Sequence, residues 1–189
     1  MIESIKRRRS HEKEIHLVFG RMLFTIHEFL LPVGIKRFFP SPIKFQTEKE
    51  IEITVPKDQI SPESTYDKGE VPVYRTDTSV IYLKKVIQSA DEPEFIILAF
   101  DILYQFEGKE QKILLPYKIE GEGDNLSYTN SIYTNNTVID GDGKIFQDAI
   151  HISSQGPNQE FSFVMQTDTL DSMKESITFT VEGFQESIY

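Results

Sequence analysis

The chain has 189 residues with 14 Phe, 8 Tyr, no Trp and no Cys, and 30 acidic residues against 20 Lys and Arg give a net charge of −10. That length fits one domain with an appendage, and the aromatic content supplies a packed interior, which excludes disorder throughout. The missing cysteines exclude disulfides, thiolate metal sites, iron–sulfur clusters and a Cys nucleophile, and leave the compartment open.

Charge divides the chain near residue 45. Residues 1–45 carry nine Lys or Arg against four acids, a net of +5, which leaves −15 for residues 46–189. Two surroundings are implied, an anionic surface or partner at one end and solvent at the other. Within the basic segment Ile15, Val18, Phe19, Met22, Leu23, Ile26 and Leu30 fall at helical spacing, with Glu14, Arg21, Thr25 and Glu28 opposite. The pattern predicts an amphipathic helix over about 12–31, capped by Ser10 and stopped by Pro32. Its length matches a bilayer core, but Arg21, His27 and Glu28 fall inside the stretch, and a central Arg alone costs about 2.5–3.5 kcal/mol on insertion. No cleavable signal peptide is evident, because no uninterrupted apolar run precedes a small-residue cleavage site.

What remains is a docking segment made of Lys6, Arg7, Arg8 and Arg9, the apolar stripe of Val18, Phe19, Met22, Leu23 and Ile26, and the pair Phe38 and Phe39. Three covers suit it: the protein's own sheet or a partner helix, an anionic membrane surface, or nucleic acid facing a basic arm. The expected setting is membrane-associated or within a larger assembly.

Beyond Pro32, Pro40 and Pro42 the pattern turns to strands. Ile51, Ile53 and Val55 alternate with Glu50, Glu52 and Thr54 up to Pro56. Residues 57–70 read as loop, 80–86 as strand and 89–93 as turn. The stretch 95–106 is apolar on both faces, which places it mid-sheet and covered on both sides. A strand over 112–119 holds Pro116, which removes a ladder donor and puts it at an edge or bulge. Residues 121–137 are loop-like. Asp140-Gly141-Asp142-Gly143 is a tight turn into a strand over 144–152, and Gly156-Pro157-Asn158 turns again before a strand over 160–165. A helical turn near 170–174 and a strand over 177–182 complete the chain.

The expected fold is mainly β, an antiparallel sandwich of about seven or eight strands over 46–189 preceded by the amphipathic helix. This strand pattern is similar to immunoglobulin-like sandwiches, including small bacterial extracytoplasmic domains that follow an N-terminal anchor. It lacks the Cys and Trp landmarks of true immunoglobulin domains, so the resemblance carries no functional residues over.

Motifs for chemistry are sparse. Gly121-Glu122-Gly123 runs into Asp124, Asn125 and Leu126, which breaks the dinucleotide pattern, and neither a zinc-protease nor a nucleophile-elbow motif occurs. His151 stands alone between Ile150 and Ile152. Asp140, Asp142 and Asp148 form the candidate metal set, with Ca²⁺ as the ion their hard oxygens would suit, although Lys144 and His151 occupy positions where an EF-hand needs ligands. A hairpin turn rich in Asp and Gly explains the same residues. Tyr128 and Tyr133, in a Tyr/Asn/Ser/Thr-rich stretch, have the composition of a recognition loop.

The leading expectation is a non-enzymatic protein-binding or assembly module, needing no cofactor, positioned by its basic helix at a larger complex or membrane surface. Its partner would be another protein or a second copy, with nucleic acid reachable only through the basic arm. The alternatives are a virion or other assembly subunit with that arm, and a hydrolase or carbohydrate-binding protein using loop carboxylates.

Overall fold

In the computed structural model the described residues are 46–88, 90–105, 112–121, 127–155 and 160–188. The expected helix over 12–31 and the docking residues from Lys6 to Phe39 lie outside them.

The described chain is mainly β and antiparallel. Its strands are β1 (Gln46–Pro56), β2 (Pro72–Arg75), β3 (Ser79–Ile87), β4 (Phe95–Tyr104), β5 (Lys112–Leu115), β6 (Tyr117–Glu120), β7 (Ser127–Asn130), β8 (Tyr133–Asp140), β9 (Ile145–Phe146), β10 (Ile150–Gln155), β11 (Phe161–Gln166) and β12 (Ser176–Ile188). One short helix, α1 (Thr167–Ser172), joins β11 to the turn before β12. Twelve segments replace the expected seven or eight because two predicted strands divide, a predicted loop forms two strands, and β2 arises where no element was predicted. Pro116 cuts the predicted 112–119 strand into β5 and β6, which join different sheets. Residues 127–140, read mostly as loop, form β7 and β8. The predicted 144–152 strand breaks at Gln147–Ala149, where Asp148 takes a left-handed φ of 50°, a conformation that Asp tolerates better than most residues.

Two five-stranded sheets result. The first runs β1-β12-β8-β9, with β5 also paired to β12; the second runs β10-β11-β4-β3-β2; β6 and β7 form a separate hairpin. Strand β12 organises the first sheet. Its whole length pairs β1, while its other edge is shared by β8 along Ile177–Glu182 and β5 along Gln185–Ile188.

The faces follow the period of two. Ile51, Ile53 and Val55 of β1 join Ile177, Phe179, Val181 and Phe184 of β12, and these meet Ile96, Leu98, Phe100 and Ile102 of β4 with Phe161 and Phe163 of β11. Aromatic rings join the layers: Phe163 and Phe179 centroids are 5.0 Å apart, and Phe161 and Phe184 5.5 Å, both edge-on. That geometry suits ring quadrupoles and adds to the burial itself. Strand β4 lies mid-sheet as predicted, but its outer face is covered only in part. Ile97, Ala99 and Leu103 are half-buried and Phe95 is 36% exposed, and among the described residues no helix crosses that face.

A bulge re-aims β12 near its middle. Glu182 and Gly183 together oppose the single Glu50, and Gly183 has a φ of 82°. The β7–β8 connection crosses there, with the Ser131 hydroxyl donating to the Gly183 carbonyl at 2.6 Å. A Cβ at position 183 would stand 1.9 Å from the Ser131 carbonyl oxygen. Only glycine satisfies both the dihedral and the close approach.

Candidate functional site

The predicted metal set resolves into a hairpin turn and a separate corner. Gly143 N–H donates to the Asp140 carbonyl at 2.9 Å, closing the turn between β8 and β9. The Asp140 carboxylate is buried, and its Oδ1 accepts from the N–H groups of Asp142 at 3.1 Å and Lys144 at 2.9 Å. It therefore organises the turn as an Asx-type acceptor. Asp142 is exposed and pairs with Lys174 at 2.8 Å, and that hydrogen bond holds the Lys174 ammonium above its ordinary pKa. Asp148 is exposed on the corner beyond β9. Among the described residues no three Asp, Glu, His or Cys side chains come together to hold a metal ion. His151 is exposed on β10.

The two candidate recognition tyrosines part company. Tyr128, on β7, is half-buried and packs edge-on to Tyr117 at 5.8 Å. Burial pushes the Tyr117 phenol up, with Tyr128 adding to the shift. Tyr133 is 48% exposed on β8, and its hydroxyl reaches Glu48 Oε1 at 3.4 Å across β12. The Glu182 carboxylate bonds it as well, and that bond is the main cause of its raised pKa.

Tyr133 thus marks the outer face of the first sheet. The same face carries Glu48, Glu50, Glu52 and Thr54 from β1, and Thr178 and Thr180 from β12, where the Thr54 and Thr178 hydroxyls bond at 2.9 Å. At its far side Ile139 of β8 and Ile145 of β9 are direct cross-strand neighbours, 42% and 58% exposed. Sequence reading placed the acidic face of β1 but missed this apolar pair. The alternation of Ile139 with Val138 was the available signal, and the pairing to Ile145 was invisible without the hairpin register.

A second polar group lies on the outer face of the other sheet. Tyr82, only 3% exposed, donates to Asp101 Oδ2 at 3.0 Å from the directly paired position on β4. Lys84 bridges from there to Glu160. Burial first, and the Asp101 carboxylate second, hold the Tyr82 proton far above the ordinary phenol range. A shallow cavity of about 320 Å³ opens where the β2–β3 turn (Thr76, Asp77, Thr78) meets Lys112 and Glu186. Lys112 and Glu186 are ion-paired at 3.0 Å across its floor.

No helix among the described residues is long and apolar enough to cross a membrane. Comparison with protein-family models, with curated proteins and with solved structures gave no match to this chain.

Proposed function

We propose that this chain is a non-enzymatic protein-binding or assembly module, positioned at a larger complex or a membrane surface by its basic N-terminal segment. The observation that carries the reading is the exposed Ile139–Ile145 pair on the outer face of the first sheet. Adjacent exposed apolar side chains rimmed by polar ones mark surfaces that another molecule covers. The charge division supports the positioning half of the proposal, since +5 on residues 1–45 and −15 on the rest favour different neighbours.

Two antiparallel sheets over an aromatic core support an immunoglobulin-like reading of the layers, with a strand order of their own. Here β5 and β8 share one edge of β12, where an immunoglobulin sheet sets one strand beside another.

Two measurements on the full chain test the reading. Light scattering over a concentration series reads self-association, and flotation with phosphatidylserine vesicles at low salt reads membrane positioning. Ile139→Thr with Ile145→Thr is expected to weaken association and leave flotation unchanged. A strict monomer that also stays in the soluble fraction contradicts the proposal.

A further inference from the structure

The edges of the two sheets are not alike. Strand β2 has four residues and begins at Pro72, β5 has four, β9 has two, and β10 bulges between Ile152 and Ser154. Short length, proline and bulges are the ordinary devices that stop an edge from recruiting another chain. Strand β1 has none of these three, and its edge is protected by charge alone, on Glu48, Lys49, Glu50 and Glu52. It runs eleven residues, its only proline is the last, and the bulge opposite it belongs to β12. Among the described residues β1 pairs with β12 alone, and no loop main chain bonds to its other side.

Side chains along that open edge carry one sign of charge on one face. Glu48, Glu50 and Glu52 all point to the outer face, at a spacing of about 7 Å for every second residue of a strand. Glu48 accepts from Tyr133 and lies in the field of Lys118, itself paired to Glu120 at 2.7 Å. Among the described residues Glu50 and Glu52 make no ion pair or side-chain hydrogen bond. On the inner face Ile51, Ile53 and Val55 are already buried, so an added strand would find its selectivity on the outer face. A second copy of β1 laid along the edge would set carboxylates against carboxylates, which is destabilising.

We propose that the outer edge of β1 docks an extended segment of a partner protein that carries Lys or Arg at alternate positions, added as a further strand of the first sheet. The inference rests on the protein-binding reading and names its partner chemistry. Main-chain hydrogen bonds along the edge supply affinity, and the alternating cations facing Glu48, Glu50 and Glu52 set register.

The test uses isotope-labelled full-length protein and two synthetic peptides of identical composition. One alternates lysine with threonine, and the other groups its lysines at one end. The alternating peptide is expected to bind roughly tenfold more tightly, as three cross-strand charge pairs allow, with amide shifts concentrated on 47–54. Glu50→Lys with Glu52→Lys should remove that preference, and Glu50→Gln with Glu52→Gln should reduce it, at an unchanged melting temperature. Equal affinity for both peptides, or shifts elsewhere on the fold, overturns the proposal. If the preference fails while the chain still associates or floats, the β1 assignment falls and the protein-binding reading stands.

Discussion

Gly183 is the residue on which the first sheet turns. Its φ of 82° and the 1.9 Å approach of the Ser131 carbonyl to its missing Cβ make two independent demands. A left-handed dihedral costs a side-chain-bearing residue about 1–2 kcal/mol, and overpacking adds roughly 1–3 kcal/mol. Gly183→Ala should therefore destabilise the fold by about 3 kcal/mol or more in urea unfolding, with the largest local change at β8. Ser187 is the opposite case: it is fully buried on β12, and its hydroxyl has no hydrogen-bond partner among the described residues. A desolvated hydroxyl costs stability, so Ser187→Ala should be neutral or raise stability by up to about 1 kcal/mol. Three tyrosines give the chain an alkaline limit. Burial is the first cause that raises the Tyr82, Tyr104 and Tyr117 phenols above their usual value of 10.0. A group whose folded pKa is raised stabilises fully below its unfolded pKa, and that contribution disappears as pH climbs through the folded value. Stability should fall above about pH 10. Phenolate absorbance should show these three of the 8 tyrosines ionising only with unfolding, and Tyr82→Phe should remove one late titrator.

At the scale of elements, the strands that were legible are those whose burial is one-sided and regular. Ile51, Ile53 and Val55 against Glu50, Glu52 and Thr54 announce β1, and the apolar run of β4 announces a central strand. What the sequence hid is where a strand changes sheet. Pro116 was legible as an interruption, but nothing local says that β5 pairs with β12 while β6 pairs with β7. Those choices depend on partners about 70 residues further along β12 or across a hairpin whose register the turn sets. The Asp140–Gly143 turn was read from its residues, and the structure adds what Asp140 does there. Because its buried carboxylate satisfies two N–H groups, Asp140→Ala should cost about 1–3 kcal/mol and loosen the β8–β9 hairpin. Comparing hydrogen exchange at Asp142 and Lys144 in the two proteins reads the change directly. The candidate recognition stretch was half legible: Tyr133 emerges on an exposed face, whereas Tyr128 turns to pack on Tyr117.

On the scale of the whole molecule, two antiparallel layers share one aromatic core, and the described surface is acidic with an exposed apolar pair. Buried rings on β4, β11 and β12 form the core of a body that has no cysteine for disulfides. Among the described strands β1 is the longest sheet edge. Amide hydrogen exchange along β1 in the free full-length chain is the most direct test. Alternate amides of residues 47–54, those pointing away from β12, should exchange fast in the free protein and become protected when the alternating lysine peptide is added. Uniform protection of β1 in the free chain would mean that its edge is already covered, and would contradict the account.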